Sequence, residues 1–226
     1  TTVAVTAGRG RGKSAALGLG IAAAVGFGYS NIFVTSPSPE NLDTLFQFVF
    51  KGLDALAYKE HLDYSAVLGQ EGDTRGYVLR VNIFRGSRQT IQYIAPSDAA
   101  KLGQAELLVI DEAAAIHLPV VRALMGPYLI FMASTVNGYE GTGRSLSLKL
   151  IQQLRTASVA SGRPQARQGH GGGWHTPKMG QTQARKHVAH QHAASAAGGG
   201  DIAGIGQRSL KEISLEQPIR YAPGDG

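Results

Sequence analysis

Three short passages hold residue types that could act together on a phosphate. The first is Ala7 to Gly20, "AGRGRGKSAALGLG". Its Gly12-Lys13-Ser14 core offers a lysine and a hydroxyl directly after glycines, whose backbones reach conformations closed to other residues. Placed between a buried strand and a helix N-terminus, such a loop surrounds an oxyanion with N–H donors and the positive end of a helix dipole. Lys13 would reach the β- and γ-phosphates of a nucleoside triphosphate, and Ser14 would bind Mg²⁺. The full pattern, G-x-x-x-x-G-K-[ST], asks for glycine at position 7, where this chain has Ala7. The second passage is "ELLVIDEAAAI", an apolar run ending at Asp111-Glu112. In that position Asp111 would hold Mg²⁺, directly or through water, and Glu112 would orient and activate the attacking water. The third is "FMASTVNGYEGTGRS", in which Ser134 and Thr135 close another apolar run. Small hydroxyl residues there can link the γ-phosphate state to a nucleic-acid surface. Thr35 to Asn41, "TSPSPEN", ends a strand where a helicase-like lobe would meet a nucleic-acid backbone, and Pro and Ser also suit a helix start.

These passages need a scaffold that brings several strand ends together. Val3 to Thr6 reads as a short buried strand, and Ser14 to Phe27 as a helix apolar nearly all round. Asn31 to Thr35 is a second strand. A helix then starts at Ser36 to Glu40 and runs through Leu45, Phe46, Val49 and Phe50 at helical spacing. Tyr77 to Phe84 and Thr90 to Ile94 are strand-like. Ala105 to Ile110 and Tyr128 to Ala133 are continuous apolar runs, suited to parallel strands covered on both faces. Leu146, Leu150 and Leu154 mark one face of a further helix. Leu210, Ile213, Leu215 and Ile219 read as a last strand or edge segment. Strands alternating with helices predict an α/β fold with a mostly parallel, doubly wound sheet; the phosphate-binding passages set on it make the expected class a RecA-like P-loop NTPase domain.

The chain has 226 residues and is 43% apolar, enough for a sizeable core. It contains no cysteine, which excludes disulfides and thiolate metal sites. Ser14 to Val34 carries no charge, but its glycines and Tyr29-Ser30-Asn31 favour a helix buried behind a phosphate loop over a membrane span. Thr1 to Val5 is too short for the apolar core of a secretory signal, and an opening inside a strand without an initiator Met suggests a fragment. The net charge is +6, but eight of the 22 basic residues lie in Gly141 to Gly200, which has no acid. Outside that segment 14 basic residues face 16 acidic ones, a net of −2. The basic segment could touch RNA. Ala157 to Gly206, rich in Gly, Ala, Gln, His and Ser and without periodicity, reads as a low-complexity disordered insertion. His187, His190 and His192 have no Asp, Glu or Cys beside them to complete a functional metal site. The expected organisation is thus an ATPase core at 1–156, the insertion at 157–206, and a return to the ATPase domain at 207–226.

Six strings together, "GRGRGKSAALGLG", "GYSNIFVTSPSPENLDTLFQFVFKG", "VNIFRGSRQTIQYI", "KLGQAELLVIDEAAAI", "GPYLIFMASTVNGYEGTGRSLSLKLIQQLR" and "PIRYAPGD", closely resemble the helicase-like module of the RNA cytidine acetyltransferases, nearest to the eukaryotic nucleolar branch. The resemblance covers roughly Val3 to Arg155 and Ser209 to Asp225. It implies N4-acetylcytidine formation in 18S rRNA and tRNA, with acetyl-CoA and ATP as cofactors beside Mg²⁺. The implied partners are those RNAs, a tRNA adaptor protein and a second copy of the chain, with no membrane; the implied location is the nucleolus. It implies that Gly10, Arg11, Gly12, Lys13, Ser14 and Ala15 wrap the phosphates, that Arg220 contacts ATP, and that alanine at position 7 is a family feature. Arginine suits that role because its planar fork pairs bidentately with phosphate. His117 departs from the family's proline after "DEAAAI", which should perturb a helix start more than the chemistry. The acetyltransferase domain is absent from these residues, as are the family's N-terminal domain and tRNA-binding C-terminal part. Three readings stay open: an ATPase that remodels or positions RNA, a nucleotide-gated RNA-binding switch with little hydrolysis, and a helicase lobe.

Overall fold

The computed structural model describes residues 1–135, 152 and 209–215. The expected helix through Leu146, Leu150 and Leu154, the insertion at 157–206 with its histidines, and the segment containing Ile219 and Arg220 lie outside them, Gln152 apart. Eight strands form one sheet: β1 (Thr2–Ala7), β2 (Asn31–Thr35), β3 (Tyr64–Leu68), β4 (Val78–Ile83), β5 (Gln89–Tyr93), β6 (Leu107–Ile110), β7 (Leu129–Thr135) and β8 (Leu210–Leu215). Their order is β3-β4-β5-β2-β6-β7-β1-β8. From β5 through β8 every pairing is parallel, whereas β4 runs antiparallel to both β3 and β5. The mostly parallel, doubly wound sheet expected from the sequence is therefore present, with an antiparallel extension at one edge and β8 at the other.

Alternation along the strands divides the apolar residues between two faces. Val5, Val34, Val109 and Ala133 face one core, shared with α1 (Lys13–Gly26) and α2 (Asp43–Ala55). Ala4, Leu108, Ile110, Ile130 and Met132 face the other, covered by α3 (Leu118–Ala123) and the turns around Leu102 and Ala113. Leu107 to Ile110 is buried at all four positions, so its run of apolar residues has no solvent face to alternate with. Among the described residues, no helix is long and apolar enough to cross a membrane. The uncharged Ser14–Val34 stretch is instead α1, a turn and β2.

Three details differ from the sequence expectation. Pro39–Leu42 forms a 3₁₀ turn, and α2 begins only at Asp43. Strand β3 was not anticipated. Tyr64 is buried and stacks on Phe50 at 5.8 Å, but Val67 and Leu68 at the strand's end are exposed, so apolar periodicity does not announce it. At position 117 the helix start survives the histidine: the His117 carbonyl accepts from the N–H groups of Val120 and Val121, and α3 carries a proline in its first turn.

Helices α1 and α2 cross at two glycines. A Cβ at Gly18 would collide with the Leu45 carbonyl oxygen and lie 2.8 Å from Phe48 Cβ. One at Gly52 would lie 2.5 Å from Ala22 Cβ. This close approach fixes α1, and with it the loop that precedes it. Gly18→Ala gains about 1 kcal/mol of helix propensity. Backbone overlap outweighs that gain, so the variant should lose about 1–3 kcal/mol overall, read from the urea midpoint of this chain. An unchanged or higher midpoint would show that the helices can move apart freely.

Candidate nucleotide site

The carboxyl ends of β1, β7, β6 and β2 lie side by side on one edge of the sheet. Ala7 is in register with Thr135 and Thr6 with Ser134, and Thr35 pairs with Ile110 just before Asp111. In open parallel sheets this edge is where ligands bind. After β1 the chain turns through Gly8 to Gly12 into α1. Gly10 and Gly12 have φ of 75° and 80°, the left-handed region that a side chain disfavours. Ala7 needs no such freedom. It is the last residue of β1, extended and buried between Thr135 and Leu215. The missing first glycine therefore costs the loop nothing in backbone conformation.

Lys13 opens α1, and its side chain folds back over the loop. Nζ donates to the carbonyls of Gly8 at 2.9 Å and Ala7 at 3.3 Å. The residue is buried, and desolvation moves its pKa below the usual lysine value, although Asp111 and Glu112 pull the other way. Asp111 is 1% exposed. Burial raises its pKa, while the Ser14 hydroxyl, the Glu112 N–H and Lys13 each favour its charged form. Its Oδ1 accepts from the Glu112 N–H at 2.8 Å, and its Oδ2 is buried without a partner. Glu112 is exposed and has φ of 48°, an uncommon conformation for a non-glycine residue. Its Oε2 accepts from Asn41 Nδ2 at 3.0 Å.

The sequence-identified residues of the loop, Gly10, Arg11, Gly12, Lys13, Ser14 and Ala15, are thus contiguous around the start of α1, with Asp111 facing them from β6. Ser134 and Thr135 end β7, the strand between β1 and β6. Arg220 lies outside the described residues. Asn41 is the contact that sequence reasoning missed. Its string, "TSPSPEN", was singled out, but a bond to a residue 71 positions away leaves no local signal.

The arrangement offers a lysine without an anionic hydrogen-bond partner, a glycine loop at a helix start, and a buried carboxylate oxygen that nothing satisfies. An incoming triphosphate could take over Lys13 from the two carbonyls. The unpartnered Oδ2, with Ser14 beside it, fits Mg²⁺, which is commonly held by one or two carboxylates together with substrate phosphates. No group of three or more His, Cys, Asp or Glu side chains that could hold a metal alone occurs among the described residues.

The family model "RNA cytidine acetyltransferase NAT10/TcmA, helicase domain" matches residues 4–226. The chain belongs to this family. It is 59% identical over 224 residues to the RNA cytidine acetyltransferase of Saccharomyces cerevisiae and 60% identical over 225 residues to that of Homo sapiens. Those alignments cover 99% and 100% of this chain but 19% of each relative. The chain thus spans about a fifth of the length of the curated relatives it matches. Among solved structures it is similar to the large terminase ATPase domain of Thermus phage P74-26, with a TM-score of 0.42 and 14% identity, covering 74% of this chain and 68% of that one.

Asp111 supplies a stability prediction. Its folded-state pKa lies above the unfolded value, so the ionised form opposes folding at neutral pH. That opposition fades as pH falls through the raised value toward the ordinary carboxylate range. Asp111→Asn keeps the oxygen that accepts from Glu112 and removes the buried charge. The nucleotide-free variant should therefore be the more stable at pH 7, with the gain vanishing in acid. Urea unfolding at neutral and acid pH checks this, and a destabilised variant at pH 7 would contradict it.

Proposed function

We propose that this chain is the ATP-binding and ATP-hydrolysing module of an RNA cytidine acetyltransferase, using ATP to remodel or position RNA for an acetyltransferase domain carried elsewhere in the protein. The observation that carries the proposal is the pairing of a glycine loop, whose buried Lys13 is held only by carbonyls, with the unpartnered Oδ2 of Asp111. Both charges sit in low dielectric with their attractions incomplete, and a triphosphate with Mg²⁺ supplies what each lacks.

In this reading the loop N–H groups from Gly10 to Ala15 bind phosphate oxygens, and Arg11 lies over them. Lys13 leaves the Ala7 and Gly8 carbonyls for the β- and γ-phosphates and stabilises charge as it develops on the transferring group. Ser14 and Asp111 hold Mg²⁺, which neutralises phosphate charge when bound. Glu112 orients the attacking water and accepts its proton. Arg220 adds a bidentate phosphate contact, and Ser134 and Thr135 pass the γ-phosphate state along the sheet edge to RNA. The whole protein would form N4-acetylcytidine in 18S rRNA and tRNA with acetyl-CoA bound outside this chain. A tRNA adaptor protein, self-association and a nucleolar location belong to the same reading.

ATP turnover by the full-length protein, with and without RNA, tests the assignment. Lys13→Ala and Glu112→Gln should each lower turnover at least about 100-fold, a loss of roughly 2.7 kcal/mol of transition-state stabilisation. RNA should stimulate the unaltered protein. ATP binding that requires Lys13, with negligible turnover under every condition, would replace the motor by a nucleotide-gated RNA-binding switch.

A further inference from the structure

The site contains one contact that the proposed chemistry does not use. Glu112, assigned above to the attacking water, gives its Oε2 to Asn41 Nδ2 at 3.0 Å. Asn41 belongs to the 3₁₀ turn Pro39–Leu42, which follows β2. In the sheet, β2 flanks β6 on the side away from β7 and β1, and the phosphate loop follows β1. The bond therefore ties the glutamate toward the β2 flank of its strand.

The amide is itself set by the segment before it. The single Ser38 hydroxyl proton is shared between Glu40 Oε1 at 3.2 Å and Asn41 Oδ1 at 3.3 Å, and its share on Oδ1 favours the amide orientation that turns Nδ2 toward Glu112. The Ser36 hydroxyl in turn donates to the Ser38 carbonyl at 2.5 Å. A chain of side-chain bonds thus runs from the end of β2 to the carboxylate. Glu112 also sits at φ 48°, a conformation that persists only while surrounding bonds hold it.

We propose that Asn41 is a positioning residue that restrains Glu112 beside β2 until RNA engages the segment from Ser36 to Asn41, so that one hydrogen bond couples RNA occupancy to ATP hydrolysis. The inference rests on the ATPase reading and on the sequence reading of Thr35 to Asn41 as a nucleic-acid contact. An N–H directed at Oε2 fixes that oxygen's direction and draws on the lone pairs that a general base needs. Displacing Ser38 or Asn41 frees the carboxylate to turn toward the phosphate loop.

The test is steady-state ATP turnover by the full-length protein, with and without a mixed-sequence single-stranded RNA oligonucleotide. Asn41→Ala removes the donor, and Asn41→Asp replaces it by a like charge of the same shape. Both should raise RNA-free kcat at least about threefold, leave KM for ATP unchanged and shrink the stimulation by RNA. Asn41→Gln, which keeps an amide, should restore part of the restraint. Lower turnover in both Ala and Asp variants, or unaltered stimulation, overturns the proposal. Failure of the underlying reading looks different: the unaltered protein would then show no turnover that Lys13→Ala removes. Thermal melts of the variants identify any loss that comes from misfolding.

Discussion

Asp111 holds a carboxylate out of water, with Oδ1 accepting from the Glu112 N–H, the Ser14 hydroxyl beside the group, and Oδ2 buried without a partner. Across from it, Lys13 carries a buried ammonium whose hydrogen bonds go to neutral carbonyls. Leaving two such charges incompletely matched is expensive in a low-dielectric interior, and a fold selected for stability alone would substitute apolar residues. The rest of the architecture serves to hold these groups in place. Strand β6 is buried on both faces and fixes Asp111 at its end. Strand β1 delivers the loop, and α1, locked against α2 through Gly18 and Gly52, fixes the residue from which Lys13 projects.

In the proposed function, a nucleotide would be the missing part of the core's electrostatics. Triphosphate and Mg²⁺ would bring charges of both signs to a place where protein charges of both signs already wait. Binding and folding would then be coupled, because a ligand that binds only the native site stabilises it by mass action. The same groups that oppose folding of the empty chain would favour the loaded one. The edge of the sheet that carries them also carries Ser134, Thr135 and the Thr35–Asn41 segment, at the ends of neighbouring strands.

How much of this could be read from the sequence depended on whether the signal was local. The glycine loop at the start of α1 was legible because Gly10, Gly12 and Lys13 are close in the chain, and each has its own chemical reason. Asp111 was legible because a run of four buried residues must end somewhere, and an acid at that end is informative. Ala7 could not be judged from the pattern alone. Only its extended position at the end of β1 shows why glycine is dispensable there. Strand β3 was missed because one buried tyrosine and a half-exposed edge give no clear period. Asn41 was missed because its partner is distant in sequence. Gly18 counted in the sequence only against a membrane span and Gly52 carried no signal, whereas they are the points where two backbones meet.

In the proposed function, the free oxygen of Asp111 is the metal position of a nucleotide site. Calorimetric titration of the full-length protein with ATP, once with Mg²⁺ and once with EDTA, tests it most directly when Asp111→Asn is measured alongside. Mg²⁺ should tighten binding by about tenfold or more in the unaltered protein, close to 1.4 kcal/mol, and the variant should lose that increment while keeping its affinity in EDTA. Equal affinities with and without Mg²⁺ in the unaltered protein, or a full Mg²⁺ increment in the variant, would contradict the account.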